Sequence, residues 1–221
     1  MWLQEIRLQT SFLPELYHFY KEVLELEATC LDEKNISITA GKSTLIFEEI
    51  DKGINPFYHF AFNIPSNKFD QAFEWIKDRV ELLWLDDYKS YVADFANWHA
   101  KSFYFIDPAG NILELIARFD LNDNISEKFS SMHIRNVSEI GLVFPPNSFQ
   151  ADVNNLLQQY SLPYFDKQSP LQQFMAVGND EGLFIIVPEN RIWFSTKDSE
   201  SKIFPMEIIF EESDISYKLK M

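Results

Sequence analysis

Glu114 is the residue of this 221-residue chain whose placement most clearly calls for chemistry. It stands in the run Ile112-Leu-Glu-Leu115, where side chains alternate, so its carboxylate faces the side of a strand opposite to its two leucine neighbours. The run follows the turn sequence Asp107-Pro-Ala-Gly, in which proline fixes φ and glycine tolerates a positive φ. A lone carboxylate on the concave face of a strand needs a metal, another cation or water as its partner.

Other reactive side chains give weaker signals than Glu114. His99 directly follows Trp98 and is a candidate for moving protons, although a histidine in a surface loop is the commoner interpretation. Cys30 is the single cysteine and has no Cys-His or Cys-x-x-Cys context, so we assign it no chemical role. The sequence contains no glycine-rich phosphate loop and no Gly-x-Ser-x-Gly elbow.

Aromatic side chains are frequent and must line a core, a pocket or an interface. Phe alone occurs 21 times, and Phe, Trp and Tyr together make up 16% of the chain. One group precedes Glu114 and could form the wall of a substrate pocket, with core packing as the alternative. Its members are Tyr88, Tyr91, Phe95, Trp98 and Tyr104.

Charge and composition exclude several classes of partner. The formal net charge of −15 would repel the phosphate backbone of a nucleic acid and disfavour an anionic membrane surface. No window approaches the roughly 18 consecutive apolar residues of a membrane span, and the first residues lack the pattern of a signal peptide. A single cysteine precludes an internal disulfide framework. We therefore expect a cytoplasmic protein that binds neither nucleic acid nor membrane.

The elements that would position these side chains follow a repeated order. Residues 2–50 are predicted as strand, helix and strands, and residues 56–118 repeat this order with a helix over 69–80. Residues 119–134 are polar and aperiodic, which predicts a linker. The remainder, 135–221, is predicted as a third, partial copy. It has a helix over 149–160, strands over 138–144, 174–178, 183–187 and 191–194, and a terminal strand over 205–211, consistent with the stump of a fourth copy.

The repeat is visible in the residues themselves. A shift of 80 residues superimposes the second and third copies without a gap. It places His59 on Glu139, Pro65 on Pro145, Asn67 on Asn147 and Phe69 on Phe149. The first copy agrees more loosely, because Glu5-Ile-Arg-Leu8 is similar to Glu139-Ile-Gly-Leu142.

Three motifs resemble those of the glyoxalase, bleomycin-resistance and extradiol-dioxygenase superfamily, also called vicinal oxygen chelate. They are Glu5-Ile-Arg-Leu8 followed by Phe19-Tyr20, Tyr58-His-Phe-Ala-Phe-Asn-Ile64, and Phe103-Tyr-Phe-Ile-Asp-Pro-Ala-Gly-Asn-Ile-Leu-Glu114. The resemblance implies an α+β fold of repeated βαβββ modules that curl into half-open mixed-sheet barrels. It implies a glyoxalase-like domain of two modules over 1–118 and a weaker likeness over 135–221.

The resemblance also implies a divalent metal, held by the first strand of each module and the last strand of the second. Those positions are Glu5, His59 and Glu114 in this chain, and Mn, Fe, Zn, Ni or Co would suit them. The superfamily usually has His or Gln at the first position, so Glu5 departs from its pattern. Phe47 stands where some members have a fourth carboxylate, which argues against a four-ligand site. The predicted substrate-binding residues are Phe47, Tyr91, Trp98 and Tyr104.

Each predicted ligand also has a structural interpretation. Glu5 could be a solvated strand residue, and His59 could be a hydrogen-bonded core histidine. Glu114 could be paired with Arg118 or Lys101.

The third copy carries Glu139 at the first-strand position, but Ile186 corresponds to its last-strand ligand and is apolar. No second metal site is therefore predicted there, and a structural or dimer-forming role is favoured over a catalytic one.

Two functions follow from the resemblance, and a third interpretation is a degenerate scaffold. The first is a metal-dependent enzyme that binds neighbouring oxygens of a small substrate, with Glu114 and His99 as catalytic residues that move protons. The second is a metal-free protein that binds a small molecule in an aromatic cleft. An odd number of modules predicts a homodimer, since the third copy would need a partner for its exposed sheet edge.

Overall fold

The chain is built from three βα units and a final hairpin. The computed structural model describes residues 1–51 and 53–221. The first unit contains β1 (Trp2–Thr10), α1 (Leu13–His18), β2 (Glu27–Cys30), β3 (Asn35–Ala40) and β4 (Ser43–Glu49). The second contains β5 (His59–Ile64), α2 (Phe69–Lys77), β6 (Ala93–Phe95), β7 (Ala100–Ile106) and β8 (Ile112–Arg118). The third contains β9 (Asn136–Phe144), α3 (Phe149–Tyr160), β10 (Met175–Asn179) and β11 (Gly182–Pro188), and β12 (Met206–Glu212) and β13 (Ile215–Lys220) form the hairpin.

The helices follow from the apolar periodicity of the sequence. Pro14 occupies the first turn of α1, where its missing N–H costs nothing. The helical pattern continues past α1 as a π-helical turn, Phe19–Val23, which buries Phe19 and Tyr20. Short 3₁₀ turns at Ser66–Lys68, Ala96–Trp98, Phe119–Leu121 and Ser131–His133 complete the helical elements. None of the described helices is long and apolar enough to cross a membrane.

The strands form two mixed sheets. One sheet has the order β13-β12-β1-β4-β3-β2, and the other has the order β10-β11-β9-β5-β8-β7-β6. The antiparallel pairs β1–β12 and β5–β9 join the units, so the first unit shares a sheet with the final hairpin and the second shares a sheet with the third. The predicted α+β class with repeated βα modules and mixed sheets is thereby confirmed.

Each sheet contains strands from both 1–118 and 135–221, on either side of the predicted linker. The first module, β1–β4, and the second module, β5–β8, lie in different sheets. The boundaries at 118 and 134 stay a prediction. Homodimerisation also stays a prediction, although the third unit joins a sheet of the same chain through the pairing of β9 with β5.

The alternating side chains of the seven-stranded sheet divide between two clusters. Phe60, Phe62 and Ile64 of β5 face the main core, which also contains the helices and the apolar face of the other sheet. Ala61 of β5 and Ile112 of β8 face a second, aromatic-rich cluster on the concave side. This concave face is where the chemistry-bearing side chains gather.

Two strands were missed from sequence, and one was placed wrongly. β2 lies at a sheet edge and is mostly exposed, so it lacks an apolar signal, and β13 is likewise a largely exposed edge strand. The strand predicted over 191–194 is a loop, with only an isolated bridge between Ile192 and Glu200. Its backbone pairs locally with 199–201 instead of joining the sheet.

Candidate metal centre and its pocket

Strand register brings three ionisable side chains together on the concave face of the seven-stranded sheet. Glu114 lies opposite Ala61 on β5, and Ala61 lies opposite Glu139 on β9. His59 precedes Ala61 by two residues and therefore shares its face. All three of these ionisable side chains are buried. One ligand atom from each lies within 4.8 Å of the other two.

The imidazole of His59 is oriented as a ligand. Its Nδ1 lies 3.1 Å from the carbonyl oxygen of Ile112, which can only accept a hydrogen bond, so Nδ1 carries the proton. The unprotonated Nε2 then faces Glu114 Oε2 at 3.7 Å and Glu139 Oε2 at 4.0 Å. Burial lowers the pKa of His59 to about 4, which keeps the ring neutral near pH 7. Three atoms that can each bind a metal ion therefore converge.

Arg118 fixes the orientation of Glu139. Its guanidinium is fully buried and donates from Nη2 to Glu139 Oε1, while Nη1 reaches Asp180 at 3.4 Å. The guanidinium also packs 5.5 Å from the ring of Trp98. Because Arg118 occupies one carboxylate oxygen, the other is left to face His59. This outer contact is of the kind that orients ligands at metal sites.

The two carboxyl groups differ in electrostatic environment. Burial raises the pKa of Glu114 well above its usual value, and the nearby charge of Glu139 raises it further. Burial also raises the pKa of Glu139, but the charge of Arg118 opposes that effect. Glu114 is thus the group of the pair with no arginine hydrogen-bonded to it among the described residues.

The three residues fit a divalent transition-metal ion. One neutral imidazole nitrogen and two carboxylate oxygens suit Mn, Fe, Co, Ni or Zn. With bonds of about 2.1 Å in tetrahedral or octahedral coordination, neighbouring ligand atoms lie roughly 3.0–3.4 Å apart, so the three atoms would have to draw together by about 1 Å to share an ion. The symmetry-equivalent position on β11 is Ile185, two residues beyond the Leu183 that pairs with Glu139. That position is apolar, so three protein ligands leave positions open for substrate.

Several predicted site residues lie away from this centre. Glu5 is on β1 of the other sheet, partly exposed and 3.8 Å from Arg7. Phe47 is buried in the main core, stacked on Tyr20. His99 is exposed, at a left-handed φ of 49°, and pairs with Asp120 at 2.7 Å. Tyr91 is 43% exposed and packs on Trp84, outside the lining of the pocket.

The position predicted for Glu5 is taken by Glu139, and the third unit contributes to the site. The signal for Glu139 was the shift of 80 residues, which places it on His59. Ile186, named from sequence as the equivalent of Glu114, faces the main core instead. Ile185 is the residue on the concave face.

The cluster lies in a cavity of about 240 Å³. Trp98 and Tyr104 line it, and their role in binding substrate stays a prediction. Much of the remaining wall comes from the third unit and from the loop after β11, which sequence patterns did not suggest. Those residues are Gln168, Leu171, Phe174, Ile185, Arg191, Trp193, Phe194 and Ser195.

Gly141 makes room for one wall of the cavity. The indole of Trp193 covers His59, with ring centroids 5.1 Å apart. A Cβ added to Gly141 would lie 2.6 Å from the indole Cη2 of Trp193. The absence of a side chain on β9 therefore lets the indole lie against the strand.

The fold has a counterpart among solved structures. A candidate dioxygenase from Bacillus subtilis superposes on 100% of this chain and 84% of its own, with a TM-score of 0.57 and 13% identity. The chain has the glyoxalase-like fold of that structure. At 13% identity the likeness concerns the fold alone. No protein-family model matches the sequence, and no curated protein matches it.

Two further solved structures match about half of the chain. A lactoylglutathione lyase from Agrobacterium tumefaciens is 20% identical over 51% of this chain and 90% of its own, with a TM-score of 0.40. A fosfomycin resistance protein from Listeria monocytogenes, solved with Mn(II), is 21% identical over 53% of this chain and 89% of its own, also with a TM-score of 0.40.

Proposed function

We propose that this protein is a divalent-metal-dependent enzyme that acts on a small organic substrate with neighbouring oxygen atoms. The observation that carries the proposal is the convergence of His59 Nε2 and carboxylate oxygens of Glu114 and Glu139 within 4.8 Å of one another. When both carboxylates are ionised these buried groups repel one another, and a cation between them would relieve that repulsion. The site also opens into a cavity of small-molecule size.

The metal-binding residues are therefore His59, Glu114 and Glu139. An ion held by these three residues would supply Lewis acidity at a substrate oxygen and would stabilise the charge that develops there. The chain supplies the rest: Arg118 orients Glu139, and the carbonyl of Ile112 fixes the tautomer of His59.

The hydroxyl group of Tyr104 is placed to assist the proposed reaction. It lies across the β7–β8 ladder from Glu114 and lines the cavity. Burial, together with the charge of Glu114, raises the pKa of Tyr104 well above its usual value of 10. The phenol therefore stays protonated near pH 7 and can donate a hydrogen bond to a substrate oxygen. His99 is exposed and outside the lining, so it does not enter this mechanism.

The second candidate function is metal-free binding of a small molecule. The aromatic character of the cavity wall favours it, since Phe95, Trp98, Phe174, Trp193 and Phe194 can enclose an apolar ligand without a metal. In that case the cation beside Glu139 would be Arg118 alone, and Glu114 would hold a proton.

Metal binding distinguishes the two candidates. The purified protein is stripped with a chelator, and its affinities for Mn, Fe, Co, Ni and Zn are measured by calorimetry. Glu114→Gln and Glu139→Gln should each weaken binding by at least about 100-fold, because each removes a charged ligand. Glu5→Gln is the matched control and should leave the affinity unchanged. Stoichiometric binding that survives both variants, or no binding by the wild type, contradicts the enzyme proposal.

A further inference from the structure

Most polar groups in the cavity wall are already satisfied. The indole N–H of Trp98 donates to the side-chain oxygen of Gln168 at 3.2 Å. The Asn97 amide donates to the backbone oxygen of Lys167 at 3.3 Å, and the Gln168 amide donates to the backbone oxygen of Ser169 at 2.9 Å. These side chains therefore have little capacity left to recognise a ligand. The wall around them is aromatic and presents an apolar, planar surface.

Among the described residues, Arg191 is the only Lys or Arg side chain that lines the cavity. It lines the same cavity and is half-buried, with its guanidinium 5.6 Å from the ring of Phe174. Within the described part of the chain, no side-chain or backbone acceptor forms a hydrogen bond with the guanidinium, and no carboxylate lies within 4.0 Å of it. The other four arginines each have a carboxylate within that distance. Their pairs are Arg7–Glu5, Arg79–Glu25, Arg118–Glu139 and Arg135–Asp123.

An unpaired guanidinium in an apolar cavity has unmet hydrogen-bonding capacity. Burial lowers the pKa of Arg191, which reflects the loss of water around the charge. The planar fork of an arginine matches a carboxylate with two parallel hydrogen bonds. Within residues 1–51 and 53–221, the guanidinium of Arg191 forms no such pair with a carboxylate of the chain itself.

An anionic ligand needs a cation in the cavity wall because the surroundings are negatively charged. The chain carries a net charge of −15, and the centre itself contains Glu114 and Glu139. An anionic ligand would be repelled by that field unless a positive group faced it directly. Arg191 is that group at the cavity wall.

The cavity limits the size of the ligand. Arg191 lines the same cavity of about 240 Å³ as His59, Glu114 and Glu139. It precedes Trp193, which covers His59, by two residues. A ligand that contacts both Arg191 and the centre must fit within that volume, so it is a small molecule.

We propose that the cavity binds planar aromatic acids, with the carboxylate paired to Arg191, the ring among Phe174, Trp193 and Phe194, and the opposite end directed at the centre. This names the substrate class of the site described above and rests on the proposed function for its chemistry. The binding step itself requires no metal, so it can be tested separately.

The test compares two probes of equal shape, 2-naphthoate and 2-naphthamide, with the chelator-treated full-length protein. Binding is followed by quenching of tryptophan fluorescence, because Trp98 and Trp193 both line the cavity. The wild type should bind the acid about tenfold or more tightly than the amide, as a charge-assisted pair predicts. Arg191→Met should remove this preference while leaving the affinity for the amide within about twofold. Arg191→Lys should restore part of the preference.

Arg7→Met is the control variant, since Arg7 lies on the other sheet, and it should keep the wild-type preference. Unchanged preference in Arg191→Met, or equal affinity of the wild type for both probes, overturns the proposal. Failure of the wild type to bind either probe at millimolar concentration also overturns it. Because no metal is present, none of these outcomes depends on whether the metal-binding proposal is correct.

Discussion

Arg118 donates to one oxygen of Glu139, while the other oxygen of that carboxylate faces Nε2 of His59 at 4.0 Å. The two residues come from different repeat units and meet only because β8 and β9 both flank β5. A buried arginine next to a carboxylate of the proposed metal centre limits the net negative charge of that centre without blocking it. The centre therefore has an internal counter-ion, which the repeat pattern of the sequence did not suggest.

Removing Arg118 should destabilise the metal-free protein. Arg118→Met leaves Glu139 buried without its cation, and breaking such a pair costs roughly 3–5 kcal/mol. The free energy of unfolding is measured by urea denaturation in the presence of a chelator. The double variant Arg118→Met, Glu139→Gln should recover more than half of the loss, because no unpaired charge remains. A single variant as stable as the wild type would contradict this account of the pair.

Gly141 should be essential for the position of Trp193. Gly141→Ala places a methyl group against the indole, so the ring must move away from His59. We expect a changed near-UV circular dichroism spectrum, about tenfold weaker binding of 2-naphthoate and a loss of roughly 1–3 kcal/mol from overpacking. Adding Trp193→Phe removes the clashing part of the ring and should restore stability. The prediction fails if Gly141→Ala leaves both the spectrum and the probe affinity unchanged.

Asp107 should make stability depend on pH. Its buried carboxylate accepts hydrogen bonds from Tyr20 Oη at 2.9 Å and Asn111 Nδ2 at 2.8 Å. Burial outweighs these contacts and raises the pKa of Asp107 to about 6. The folded state therefore holds this proton more tightly than the unfolded state, whose pKa is about 3.9. Its contribution to stability is complete below pH ~4 and is lost as pH rises through about 6.

The measurement compares wild type with Asp107→Asn, in which residue 107 does not titrate. Between pH 4 and pH 7, the free energy of unfolding of the wild type should fall by up to about 3 kcal/mol relative to that of Asp107→Asn. Other buried acids are common to both proteins and cancel in the difference. A difference that is constant across this range would show that the pKa of Asp107 is not raised.

His99 should be dispensable for the site. It is exposed and adopts a left-handed conformation that asparagine tolerates, so His99→Asn removes the imidazole without backbone strain. Metal affinity and 2-naphthoate affinity should stay within about twofold of wild type, and the loss of the exposed pair with Asp120 should have little effect on stability. A large loss of either affinity would contradict this prediction and would show that His99 takes part in the function of the site.

Local pattern alone was sufficient to place much of the chain. The predicted helix over 149–160 coincides with α3, since its apolar spacing and length admit no other element. Alternation placed Glu114 on the face of β8 opposite to its leucine neighbours, and it placed His59 at the start of β5. The turn from Asp107 to Gly110 was also predictable, because proline and glycine restrict the backbone locally.

Only the tertiary structure decided which strands share a sheet. The first strand of each unit carries an ionisable residue at a corresponding position. These residues are Glu5, His59 and Glu139. Their local patterns are alike, so sequence could not tell which two would meet. Pairing of β5 with β9 brings Glu139 to His59, and pairing of β1 with β12 leaves Glu5 on the other sheet. The physical reason is that alternation fixes the face of a strand, whereas its neighbour depends on packing between residues far apart in the chain.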